Sequence, residues 1–277
     1  MRILFQSFHQ QKAGNDPQEY EDSWSISDAK KTSLASLFGQ LSLEDFEVSH
    51  PAITSSQLSL AIADGATESI FAKEWANLLV EQFRDSASAD LDTLRKNVIQ
   101  ASRIWKRIVK RRSMPWYAEE KAKQGAFCTF LGLKISQISS LLGEVNAIGL
   151  GDCCLFQIRN RDLITSFPFM RPENFGNTPA LLSSDLKYNE QVWPLVRICR
   201  GLWRVGDTFL LMTDALAQWF MAEVIDGQEP WNVVSSFAED ENNRSFNEWI
   251  SDLRKSKLMK NDDVTLLVLK VLRDEVA

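Results

Sequence analysis

Short apolar runs that stop at, or start from, an acidic residue constrain this chain most. Ser59–Ala63 (SLAIA) halts at Asp64-Gly65. The run FLLMT is followed by Asp214, Ser23–Ile26 is preceded by Glu21-Asp22, and VTLLVL is preceded by Asp262-Asp263. Runs this short, bounded by turn-forming residues, predict strands. A carboxylate at a strand end is held by rigid backbone yet reaches the rim of the sheet. If the four rims converge, the acids repel one another and take up protons unless cations neutralise them. Oxygen-only donors suit hard or intermediate cations such as Mg²⁺ and Mn²⁺. Spacing alone leaves a plainer reading open, because Asp-Gly after a strand is also an ordinary turn and Asp before a strand an ordinary cap.

Between these runs the pattern changes period. Phe71, Trp75, Leu78, Leu79 and Phe83 recur at helical spacing, with Thr67 or Ser69 as the expected cap. A second helix is predicted over Leu91–Arg112, with Leu94, Val98, Ala101, Ile104 or Trp105, and Ile108 facing inward. Ala126–Ile135, Glu144–Gly149 and Cys154–Arg159 predict consecutive antiparallel strands. Phe167–Pro194 carries four prolines and reads as one long irregular segment. Leu195–Ile198 and Thr208–Met212 predict further strands. Helices fit Ala217–Ile225, Pro230–Phe237 and Ser245–Leu258, and Val264–Leu272 is the last strand. A polar, irregular stretch separates Ile26 from about Gln57. This order is α+β with antiparallel sheets rather than a βαβ alternation. Residues 1–277 are expected to form one domain, since no low-complexity linker divides them.

Composition narrows the function. The chain has 277 residues, 44% hydrophobic and 25% charged, which is ordinary for a globular protein and excludes a disordered or disulfide-built one. With 31 basic and 37 acidic residues the net charge is −6, so no nucleic-acid or anionic-membrane partner is expected. No apolar run is long enough to span a membrane. The two histidines and four cysteines lack C-x-x-C spacing, which argues against a zinc site. Adjacent Cys153 and Cys154, with no secretory signal at Met1–Gln11, point to reduced thiols and a cytoplasmic location. Cys128, Cys153 and Cys154 are expected to fill core. Trp193, Trp203, Trp219 and Trp231 are expected in core or rim packing, and the basic cluster Lys106, Arg107, Lys110, Arg111 and Arg112 on a solvated helix face. Asp152, in GLGDCC, reads as a turn residue or supporting acid.

In order along the chain, QEYEDSWSI, LAIADGATES, GAFCTFLGL, NAIGLGDCCLFQIRN, FLLMTDALAQWF and KNDDVTLLVL resemble the motifs of the metal-dependent protein phosphatases, the type 2C or PPM family, in its bacterial style. The resemblance runs from about residue 18 to 272. It implies a four-layer α-β-β-α sandwich, two antiparallel sheets flanked by helices. It also implies a centre of two Mn²⁺ or Mg²⁺ ions held by Glu21, Asp22, Asp64, the carbonyl of Gly65, Asp214 and Asp262. Asp22, Asp64 and Asp214 then carry the catalytic roles. The implied activity is hydrolysis of phosphoserine and phosphothreonine in proteins by metal-activated water, with a phosphoprotein substrate and a cognate Ser/Thr kinase system as signalling partners.

The sequence departs from the family at several positions. Pro17 stands where relatives carry a phosphate-binding arginine, and Arg171 is the candidate replacement. Ala66 stands where some relatives have a histidine, and Glu68-Ser69 replaces a glycine pair. Gln218 stands where a third-metal aspartate occurs, so a third ion is not expected. Asp214-Ala215 and Asp262-Asp263 replace Asp-Gly and Asp-Asn, the latter adding negative charge. These departures motivate an alternative, a catalytically weak phosphatase-like binding or regulatory module.

Overall fold

A computed structural model describes residues 1–27, 53–176, 178–237 and 243–273. Most of the polar stretch before Gln57 lies outside the described residues. The strands are β1 (Arg2–Gln10), β2 (Ser23–Ile26), β3 (Ile53–Thr54), β4 (Gln57–Ala63), β5 (Phe127–Cys128), β6 (Phe130–Gln137), β7 (Leu142–Leu150), β8 (Cys154–Arg159), β9 (Asp162–Phe167), β10 (Leu182–Ser183), β11 (Arg197–Arg204), β12 (Thr208–Met212) and β13 (Val264–Leu272). The helices are α1 (Ala72–Arg84), α2 (Leu91–Arg111), α3 (Trp116–Lys123), α4 (Asp214–Ile225), α5 (Pro230–Ser236) and α6 (Asn243–Lys255).

Two sheets carry the fold. One has six strands in the order β3-β1-β13-β12-β8-β9, the other five in the order β11-β7-β6-β4-β2; β5 and β10 form a small separate pair. Every pairing is antiparallel. The period-2 alternation of each strand explains the layering. On β4, Leu58, Leu60 and Ile62 point between the sheets, while Ala61 and Ala63 point toward α1 and α2. On β13, Leu267, Leu269 and Val271 point between the sheets, while Val264, Leu266 and Val268 meet α4, α5 and α6. Both faces of the central strands are therefore buried, which is why their sequences read as nearly continuous apolar runs. The result is the expected α-β-β-α sandwich.

Small residues set how closely the helices approach. A Cβ on Gly132 of β6 would lie 2.5 Å from the Phe83 ring of α1, so glycine is what lets that ring lie on the sheet. The Trp and Cys expectations hold: Trp193, Trp203, Trp219 and Trp231 are buried, and Cys128, Cys153 and Cys154 are buried free thiols. The basic side chains at the end of α2 are exposed, with Arg112 paired to Glu74 at 2.8 Å.

Several features differ from the sequence reading. The strand expected at Leu195–Ile198 runs instead from Arg197 to Arg204, after a 3-10 turn at Trp193–Leu195. Strand β1 pairs with β13 over nine positions although its alternation is blurred by Gln6, Ser7 and His9. Helix α3 has little apolar stripe, burying only Ala118 and Ala122. Strand β9 was hidden by its polar residues; it pairs with β8 at the edge of the six-stranded sheet. Helix α1 begins later than expected, after Phe71 in a left-handed conformation and without a side-chain cap. Ser69 instead closes the preceding turn, its hydroxyl bonding the Ala66 carbonyl at 2.8 Å.

Candidate metal centre

Antiparallel register gathers the acids. In such a pair the start of one strand lies beside the end of its partner. Ser23, opening β2, pairs with Ala63, closing β4, so Glu21-Asp22 and Asp64 leave the five-stranded sheet together. Met212, closing β12, pairs with Leu266 near the start of β13 and with Cys154 at the start of β8. Asp214, Asp262-Asp263 and Asp152 therefore leave the six-stranded sheet together. Hydrogen bonds then join the two groups. The Glu21 amide donates to Asp263 Oδ2 at 2.7 Å, and the Thr213 and Thr265 hydroxyls donate to Asp22 Oδ2 at 3.0 and 2.7 Å. The Tyr20 hydroxyl contacts Thr265 Oγ1, which extends the network one residue further.

Each acid has a distinct environment. Asp22 is 3% exposed, and its Oδ1 is buried with no hydrogen-bond partner. Burial, then the charge of Asp263, pushes its pKa well up, against the two threonine hydroxyls. Asp64 is likewise raised well above the ordinary range by burial, followed by the charges of Asp22, Asp214, Asp152 and Asp262. Its own carbonyl accepts the Thr129 amide at 2.9 Å, which ties the end of β4 to the β5–β6 segment. Gly65 is packed so closely that a Cβ would lie 3.0 Å from both the Glu21 carbonyl oxygen and the Ala72 Cβ. Glu21 is raised to about 7, first by burial and then by Asp263 and Asp262, while a Thr67 hydrogen bond and Lys12 oppose the rise.

Asp214 is the first residue of α4, where the helix dipole favours a carboxylate. It is 8% exposed, and burial raises its pKa despite the opposing Lys260. Lys260 Nζ hydrogen-bonds Asp214 Oδ2 and lies 3.3 Å from Asp262 Oδ2. The Asp262 carbonyl is held by Arg254, which also bonds the Gln11 carbonyl at 2.9 Å.

Asp263 does not add a free carboxylate to the rim. Its two oxygens accept the Lys12 and Glu21 amides at 2.8 and 2.7 Å, so it anchors the chain that carries Glu21. Asp152 belongs to the acidic group more fully than its turn-like sequence suggests. It is 3% exposed, its Oδ1 has no hydrogen-bond partner, and burial followed by the charge of Asp214 raises it to about 7. Lys260 was not singled out in the sequence; its position two residues before Asp262 was the only available signal. Arg171 is exposed, and no hydrogen bond or ion pair joins it to these acids among the described residues. A cleft beside Asp152 is lined by Gly151, Pro168, Phe169, Pro194, Leu195 and Arg197.

The donor chemistry fits a hard divalent cation. All the side-chain donors are oxygens, burial and then neighbouring carboxylates raise the pKa values of Asp22 and Asp64, and buried carboxylate oxygens on Asp22 and Asp152 lack partners. Among the described residues, no three Asp, Glu, His or Cys side chains already close around a common point as a complete ligand set would.

No protein-family model matches this chain, and no curated protein sequence matches it. Solved structures match it in fold. One is a bacterial serine phosphatase, at TM-score 0.52 and 15% identity over 98% of this chain and 99% of that one. Another is the catalytic domain of the serine threonine protein phosphatase PstP in complex with two manganese ions, at TM-score 0.52 and 15% identity over 98% and 99% of the two chains. A third is RsbX in complex with magnesium, at TM-score 0.50 and 14% identity over 97% and 94%. The chain thus shares the sandwich of the bacterial metal-dependent serine/threonine phosphatases, the architecture its motif order implies. At these identities the likeness is one of fold.

Proposed function

From that shared fold and the acids at its rim, we propose that the chain is a metal-dependent protein serine/threonine phosphatase acting as one domain over residues 1–277. The observation that carries the reading is the gathering of Glu21, Asp22, Asp64, Asp214 and Asp262 at one end of the sandwich, where burial first and neighbouring carboxylates second raise the pKa values of Glu21, Asp22, Asp64 and Asp214. In this reading those five side chains and the Gly65 carbonyl hold Mn²⁺ or Mg²⁺. Bound divalent ions supply positive charge for the phosphoryl oxygens and lower the pKa of an attacking water.

The chain's own residues fix the rest. Thr213 and Thr265 orient Asp22 by occupying one of its oxygens, which leaves the other to face the site. Asp263 and Arg254 fix the backbone on either side of Glu21 and Asp262. Asp64 and Asp214 approach from opposite sheets, so the sandwich itself sets the spacing between them. A phosphorylated protein segment has the cleft lined by Gly151 and Arg197, next in the chain to Asp152, to lie in, with Arg197 as its cation. A Ser/Thr kinase partner and a cytoplasmic location complete the proposal, the latter supported by free thiols at all four cysteines.

Release of phosphate from para-nitrophenyl phosphate and from a phosphothreonine peptide, with Mn²⁺ and then with excess chelator, tests the activity. Metal-dependent release that Asp214→Asn abolishes is expected. One observation favours the second reading, a weak binding or regulatory module: Lys260 already neutralises part of the acidic group. Absence of metal-dependent release at high protein concentration would select it.

A further inference from the structure

The two sides of the acidic rim differ in charge compensation. On the α4–β13 side, Lys260 Nζ sits against Asp214 Oδ2 and lies 3.3 Å from Asp262 Oδ2, so one ammonium bridges both carboxylates. Both contacts are ion pairs, made by one side chain to two carboxylates that leave the same sheet. On the other side, no ion pair reaches Glu21 or Asp64 among the described residues, and the buried Oδ1 of Asp22 has no partner. An ammonium with three donors on a flexible stem is a compact point charge suited to occupying a cation's place.

We propose that Lys260 is a tethered monovalent cation that takes the place between Asp214 and Asp262, leaving the chain to bind a single divalent ion tightly on the Glu21–Asp64 side. This deepens the proposed phosphatase reading and rests on it. The lysine fills the place with one positive charge instead of two, so Asp214 and Asp262 stay paired without a second ion. It also explains why, among the described residues, no three acids close around one point. Two of the carboxylates expected in such a set are turned to Lys260. The Lys260 side chain is 43% exposed, so its stem can swing out of the site without disturbing the core. The second position is thereby closed at low metal concentration and opened by excess metal.

Mn²⁺ uptake by the metal-stripped full chain, followed by the electron paramagnetic resonance signal of free Mn²⁺, tests this without relying on turnover. Wild-type protein is expected to bind one Mn²⁺ tightly. Lys260→Ala is expected to bind two, with affinity for the second at least tenfold higher than in the wild type. Lys260→Arg, which keeps the charge, is expected to behave as the wild type. Far-ultraviolet circular dichroism of each variant checks that the fold is intact, and Lys260→Ser supplies a second neutral variant if Lys260→Ala does not fold. Two tight ions in the wild type, or one ion in both wild type and neutral variants, would overturn the role of Lys260 and leave the metal-centre reading standing. No Mn²⁺ uptake by any of these proteins would overturn the metal-centre reading itself, and the lysine's role with it.

Discussion

Replacing Asp152 by Asn isolates the electrostatic cost of the acidic rim, since the substitution preserves shape and removes one charge. Asp152 is 3% exposed, and its pKa rises from the ordinary 3.8 to about 7, through burial first and the charge of Asp214 second. A carboxyl with a raised folded-state pKa binds its proton more tightly when folded than when unfolded. Stability is therefore lost as pH rises. The loss begins near the unfolded pKa, grows until about pH 7 and is constant above it. Between pH 5 and 7, at about 1.36 kcal/mol per pH unit, it amounts to roughly 3 kcal/mol. The rise to about 7 already includes the opposing attraction of Lys260, so a value of about 2–3 kcal/mol is expected. Urea unfolding of the chelator-treated protein at pH 5 and pH 8 measures it. Asp152→Asn should be more stable than the wild type at pH 8, and the gap between the two should shrink by that amount at pH 5. An equal gap at both pH values, or none at either, would show that Asp152 is not a buried acid titrating in this range.

Two structural perturbations probe the frame around the site. Thr265→Val removes a hydroxyl that donates to Asp22 and contacts Tyr20, and should cost about 1.5–3 kcal/mol in urea unfolding. The same change removes a hydrogen bond that lowers the Asp22 pKa, so half-saturation with Mn²⁺ at pH 7 should move to higher metal concentration. Gly132→Ala would set a Cβ 2.5 Å from the Phe83 ring, and a loss of about 1–3 kcal/mol is expected from thermal or urea unfolding; an unchanged midpoint would mean α1 can shift freely.

Ser23–Ile26, Cys154–Arg159, Thr208–Met212 and Val264–Leu272 are strands with the bounds their sequences predict. Much of the fold was legible because most of these strands are buried on both faces. Where burial is one-sided or weak the pattern fades, as in β9 and α3, whose residues are mostly half-buried or exposed. The start of α1 was misread for a different reason. Its entry is fixed by a left-handed Phe71 and by Ser69 bonding the turn, neither of which follows from capping preference.

The residue types themselves favoured oxygen donors, since the chain has two histidines and four cysteines without C-x-x-C spacing. They also placed Glu21, Asp22, Asp64, Asp214 and Asp262 at strand ends, because an apolar run must stop where a charge would otherwise be buried. Tertiary structure alone decided which of these acids face one another, because antiparallel register and inter-sheet hydrogen bonds act between residues as remote in sequence as Asp22 and Thr265, 243 positions apart. It turned Asp263 away to bind backbone amides, drew Asp152 in, and set Lys260 between Asp214 and Asp262. Charge compensation depends on distances of a few ångströms between remote parts of the chain, and only the folded sandwich fixes those.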